Sequence, residues 1–103
     1  MSIVLRPEAV SEVADLLTRI RVADPAAADK VRRNIESTLE GLEAFPLSST
    51  RVRTSKPSLR GLRIALVRRY PQFVILYLPV KDGVEVLHIV RGKRDLRQIL
   101  RRH

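Results

Sequence analysis

The stretch FVILYLPVKDGVEVLHIV, residues 73–90, decides the fold. Phe73 to Leu78 is apolar at every position, as a strand buried on both faces requires. Lys81-Asp82-Gly83 follows, and Asp-Gly supplies the φ > 0 positions of a tight hairpin turn at little steric cost. Val84 to Val90 reads as the partner strand, with Val84, Val86, His88 and Val90 on one face and Glu85, Leu87 and Ile89 on the other. Upstream, Leu62, Ile64 and Leu66 alternate with Arg63, Ala65 and Val67, the period of a half-buried strand. Arg68-Arg69-Tyr70-Pro71-Gln72 supplies the turn between that strand and the next. Three strands joined by short turns predict a small antiparallel sheet.

The first half of the chain carries the helical period instead. Ser2 to Leu5 is a short apolar run that can form a strand, and Pro7 suits the first turn of a helix because its missing N–H is unpaired there anyway. That helix runs to about Val22, with Val10, Val13, Ala14, Leu17 and Ile20 as its apolar face. Asp24 caps and Pro25 opens a second helix, roughly Ala26 to Ala44. Val31, Ile35, Leu39, Leu42 and Phe45 form its stripe. The short Val22–Pro25 connection predicts an antiparallel helix hairpin. Pro46 ends it, and Leu47 to Leu59 reads as a loop with an extended piece at Thr50–Thr54. After Gly92, a short basic helix from Asp95 to about Arg102 docks through Leu96, Ile99 and Leu100. The order predicts an α+β fold: a helix hairpin packed on one face of an antiparallel sheet, with a short C-terminal helix, all in one domain over residues 1–103.

Composition narrows the function. The 103 residues include no cysteine, which removes disulfides, thiolate metal sites and Cys nucleophiles together. No signal-like N-terminus and no membrane-length apolar run is present, so a cytoplasmic protein is expected. Charge is divided unevenly. Residues 1–50 carry six Lys/Arg against eight Asp/Glu, whereas residues 51–103 carry fourteen against three, net −2 and net +11. That asymmetry predicts an acidic or polyanionic partner for the second half. There is no Gly-rich phosphate loop, no His/Asp/Glu cluster at metal spacing and no nucleophile elbow, and neither a metal nor a cofactor is expected. Glu36, Glu40 and Glu43 read as a solvated helix face.

Arg6-Pro7-Glu8-Ala9, Asp24-Pro25-Ala26-Ala27, Leu42 to Pro46, Pro57-Ser58-Leu59-Arg60, Tyr70-Pro71 with Ile75-Leu76-Tyr77, and Val84 to Leu87 running into Arg91-Gly92-Lys93-Arg94-Asp95-Leu96 occur in this order along the chain. In that order they resemble the RelE/ParE toxins of bacterial type II toxin–antitoxin modules. The resemblance implies a growth-inhibiting toxin of the plasmid-stabilisation kind, neutralised by a co-encoded antitoxin in a hetero-oligomer. RelE-like members cleave messenger RNA on the ribosome; ParE-like members act on DNA gyrase.

Cleavage of RNA needs a base, an acid and cations for the phosphate. Arg63 and Arg94 fall on basic positions of the RelE-like set and would be its catalytic residues. Ala65, Val74 and Leu100 stand where the remaining basic residues and the C-terminal Tyr would be, and arginine cannot readily serve as a base. His88 lies mid-strand and His103 ends the sequence, so a satisfied or solvated histidine is the reading for each. The ParE-like branch fits better: its His-Gly-x-Arg-Asp resembles Arg91-Gly92-Lys93-Arg94-Asp95, with Arg91 in place of the His. A purely structural reading covers that motif too, with Asp95 capping the last helix and Arg94 pairing with a carboxylate. The expected function is therefore a gyrase inhibitor, with ribosome-dependent endoribonuclease as the alternative. A plain nucleic-acid-binding module is the third reading; the scarcity of aromatics, most of which read as core, argues against single-strand recognition. An acidic, hydrophobic antitoxin segment is expected to contact some of Arg60, Arg63, Arg91, Arg94 and Arg97.

Overall fold

In a computed structural model, residues 2–103 are described, Lys93 by its backbone alone. Strand β1 (Ser2–Leu5) leads directly into α1 (Pro7–Ala23), and α2 (Pro25–Ala44) follows after a single residue. That residue is Asp24, whose carboxylate accepts the Ala27 N–H at 3.1 Å, while Pro25 takes the first helical position. After α2 come β2 (Thr50–Arg51), a 3-10 turn (Pro57–Leu59), β3 (Arg63–Val67), β4 (Tyr70–Val80), β5 (Gly83–Arg91) and α3 (Gly92–Arg102).

The strands form one sheet in the order β1-β5-β4-β3-β2. The β3–β4–β5 pairs are antiparallel, as the turns demand, but β1 runs parallel to β5, pairing Ser2 with Gly83 and Leu5 with Val86. The sheet is therefore mixed, not purely antiparallel. Helix α1 lies between β1 and the rest of the sheet in sequence, so it carries the chain back across and permits the parallel pairing.

Each face of the sheet has its own core. The helix hairpin covers Ala65, Val67, Phe73, Ile75, Tyr77, Val84, Val86 and Ile89 with Ala9, Leu17, Val31, Ile35, Leu39 and Leu42. On the opposite face, α3 and the 3-10 turn bury Val74, Leu76 and Leu87 beneath Leu59, Leu62, Leu96 and Ile99.

Several expectations about faces are corrected. On α1 the covered stripe is Ala9, Val13, Leu16, Leu17 and Ile20; Val10 is 53% exposed and Ala14 faces solvent. Both stripes satisfy the helical period, and the one that includes Leu16 is covered. Phe45 does not continue the α2 stripe, because it is the C-terminal cap and is 70% exposed. On β5, strict alternation fails at a bulge: Tyr77 pairs with Val86 but Leu76 pairs with His88, leaving Leu87 as the extra residue. Val84, Val86 and Ile89 therefore face the hairpin, while Leu87 and Val90 face α3. The β3–β4 turn is only Arg68-Arg69, with Arg69 at φ 68°, and Tyr70 and Pro71 already belong to β4. Helix α3 begins at Gly92, so Asp95 sits inside its first turn and does not cap it.

Gly83 serves a different purpose from the one its turn implied. The positive φ of the β4–β5 turn belongs to Asp82, at 63°, and not to the glycine. A Cβ at position 83 would stand 1.9 Å from the Ser2 carbonyl oxygen, so only glycine lets β1 approach.

Candidate functional site

The five arginines singled out from the sequence do not converge on one point. Arg63 pairs across the sheet with Tyr77 and shares its hairpin-side face. Its Nη1 donates to the carbonyls of Leu47 and Ser49 at 3.1 and 2.5 Å. Fully buried Tyr77 adds a hydrogen bond from its hydroxyl to the Pro46 carbonyl at 2.7 Å and a contact with the Ser49 hydroxyl. Arg63 and Tyr77 thus hold the backbone of residues 46–49 in place. Leu47 on that anchored loop and Phe45, the α2 cap just before it, remain 69% and 70% exposed.

Arg94 and Arg97 stand exposed on α3, against the opposite face. The sheet separates Arg63 from Arg94. Neither guanidinium is hydrogen-bonded to a carboxylate or imidazole among the described residues, so the carboxylate pairing that a purely structural reading gives Arg94 is absent there. Two separated cations without a base do not make a phosphodiesterase centre. No group of three or more potential metal ligands occurs among the described residues.

Arg91 ends β5 and precedes α3. It opens a groove of about 270 Å³ between α1 and α3, where Glu12, Asp15, Arg19, Asp95 and Arg102 also contribute. The floor of this groove is the edge of β5 beyond the end of β1, where Arg6 N–H makes the last contact, to the Val86 carbonyl at 2.9 Å. One consequence of that open edge is visible at Glu12. Its Oε1 accepts the Ile89 backbone N–H at 3.2 Å, and its carboxylate lies 3.1 Å from Nδ1 of His88.

His88 is 9% exposed, and its Nε2 lies 2.9 Å from Nε2 of His103. One nitrogen of that pair must carry the proton and the other must be bare. The pair joins β5 to the residue after α3. Burial holds the His103 pKa below its ordinary 6.5, with the neighbouring charges of His88, Arg6 and Lys56 acting in the same direction and Glu8 against them. His88 is thus the satisfied histidine that its mid-strand position predicted.

Arg60 belongs to a separate feature. Residues 51–61 curl around an open concavity lined by Arg51, Arg53, Thr54, Ser55, Lys56 and Arg60. Lys56 Nζ donates to the Leu100 carbonyl at 2.7 Å and ties this loop to α3. Sequence reasoning passed over Glu12, Arg51, Arg53 and Lys56. A signal existed for Glu12, an acid set within the Ala9–Val13–Leu16 stripe, and for the loop in its lack of any acidic residue.

Comparison with known proteins adds three findings. The sequence profile of a family described as ParE toxin of type II toxin-antitoxin system, parDE, matches residues 3–96. No curated protein matches. Among solved structures, one described as a chromosomal ParDE TA system from P. aeruginosa superimposes with a TM-score of 0.70 at 18% identity, covering 89% of this chain and 96% of that one. At that identity the likeness shows a shared fold. No helix among the described residues is long and apolar enough to cross a membrane.

Proposed function

The chain belongs to the ParE toxin family of type II toxin–antitoxin systems, and from that premise we propose that it arrests growth in the cytoplasm by inhibiting DNA gyrase and is held silent by a co-encoded antitoxin. The observation that carries this reading is the family match, which extends over nearly the whole chain. The separation of Arg63 and Arg94 supports a binding protein over the ribonuclease alternative. With Arg63 engaged by loop carbonyls, the arginines left for partners are Arg60, Arg91, Arg94 and Arg97.

The antitoxin is proposed to present an acidic, partly apolar segment that folds on binding. Arg91 and Arg94 lie at the start of α3, beside a groove that offers apolar Leu16, Ile89 and Ile99. Such a segment would gain both ion pairs and buried area there. The toxin and antitoxin would then be isolated together as a hetero-oligomer.

The test is a gyrase supercoiling assay run beside a ribosome-dependent messenger RNA cleavage assay. Loss of supercoiling with intact message, reversed by the product of the neighbouring reading frame, is the expected result. Cleavage of message at defined codons with gyrase unaffected would overturn it.

A further inference from the structure

The loop at residues 51–61 holds three cations that the toxin reading leaves unused, Arg51, Arg53 and Lys56, beside Arg60. From Ala44 to Lys81 the chain has eight Lys/Arg and no Asp/Glu. Half of those cations line one open concavity of about 820 Å³. Arg51, Arg53 and Arg60 are exposed, and their side chains make no hydrogen bond or ion pair among the described residues. The backbone beneath them is fixed. Val52 N–H reaches the Leu62 carbonyl at 2.9 Å, Leu59 and Leu62 are buried, and Lys56 is bonded to the end of α3. With about 3.6 residues per helical turn, Arg97 and Arg101 fall on the α3 flank away from Asp95, Gln98 and Arg102, the residues that face α1. Lys56 bonds to Leu100 of the same helix, so α3 brings further cations to the loop's end of the molecule.

We propose that this surface binds the phosphate backbone of duplex DNA without reading its sequence, a property beyond gyrase inhibition itself. The lining decides between a nucleic acid and an acidic protein. Protein interfaces draw most of their energy from aromatic and apolar anchors in pockets, and this concavity has only Val52 and Pro57 to offer. Arginines, a lysine and the hydroxyls of Thr54 and Ser55 are instead the groups that contact phosphate oxygens. The absence of an aromatic side chain from the lining removes the stacking platform that single strands require. A duplex, whose charge is regularly spaced and whose bases stay stacked, is the polyanion that fits.

The test is fluorescence anisotropy of the full chain with a labelled duplex of about two helical turns, between about 50 and 200 mM salt. Expected are binding that weakens linearly in log–log form and similar affinities for two unrelated sequences. The same-length single strand should bind no more tightly. The triple variant Arg51→Ala/Arg53→Ala/Arg60→Ala should bind at least about tenfold more weakly at low salt, with a slope shallower by about 2.7, three contacts at about 0.9 each. A charge-matched variant on the other face of the molecule, Arg21→Ala/Lys30→Ala/Arg33→Ala, should keep the slope of the parent. Equal losses in both variants, no binding at low salt, or displacement by poly-glutamate as effective as by unlabelled duplex would each overturn the proposal. The assay contains no gyrase, so its failure is distinguishable from failure of the toxin reading.

Discussion

Glu12 of α1 accepts the backbone N–H of Ile89 at 3.2 Å, at the point where β1 has ended and β5 is left as an open edge. An unpaired strand edge is a template for association with other chains, and here a side chain closes part of it. Glu12→Ala removes the acceptor and leaves a part-buried N–H without a partner, at a cost of about 1–3 kcal/mol. Glu12→Gln keeps an acceptor oxygen and should lose less than half as much. Urea unfolding measures the difference, and the Ile89 amide should exchange faster in the alanine variant. Equal stability of the alanine variant and the parent would remove Glu12 from this role.

Gly83→Ala tests the parallel pairing of β1. The added Cβ meets Ser2 backbone, which cannot swing aside as a side-chain tip would. The expected loss is about 1–3 kcal/mol, the usual range for forced overpacking, and it should appear first as exchange of the β1 amides. A thermal midpoint unchanged from the parent would mean that β1 does not pair as described.

What the sequence made legible follows from how local each signal was. Asp24-Pro25 fixed the helix hairpin because a cap and a first-turn proline act within one turn of chain. The Phe73–Leu78 run marked the central strand because it is short, rich in β-branched and aromatic residues and bounded by turn residues. Register was not local. The bulge at Leu87 depends on how Tyr77 and Leu76 meet the neighbouring strand, and nothing in Val84–Val90 announces it. The parallel β1 edge depends on a contact between residues 2 and 83. Arg60, Arg91, Arg94 and Arg97, the partner-contact candidates other than Arg63, are exposed. The acceptors of Arg63, the carbonyls of Leu47 and Ser49, were not legible because they lie in a loop without periodicity.

Tyr77→Phe should loosen the loop that Arg63 and Tyr77 hold. The hydroxyl reaches the Pro46 carbonyl and Ser49, and its removal leaves the ring packed, so the expected cost is about 1–2 kcal/mol. Backbone amides of residues 47–50 should gain nanosecond mobility by NMR relaxation, while those of α3 on the opposite face should not. If the loop is a rigid presenter of Phe45 and Leu47, partner affinity should fall through a faster off-rate in this variant. An unchanged relaxation profile would show that Arg63 alone holds the loop.

Protonation of His103 should weaken the docking of α3. Its pKa lies below 6.5 in the folded chain, so between those two values the unfolded or undocked state binds more protons than the native one. Stability then rises with pH through that window. His103 contributes its full share above about 6.5, loses it as the pH falls, and adds no further loss below the folded pKa. The groups that surround it fix this sign. Burial acts first, His88 on β5, Arg6 before α1 and Lys56 on the loop act in the same direction, and Glu8 on α1 opposes them only in part; Glu12 on α1 and Arg102 on α3 line the same cleft. Hydrogen exchange of the α3 amides, measured from pH 7.5 down to 5, should show increasing opening as the pH drops below about 6.5. In His103→Gln that rise should shrink, since the amide cannot titrate and can still donate to His88. An identical pH profile in the variant would rule out His103 as the group responsible.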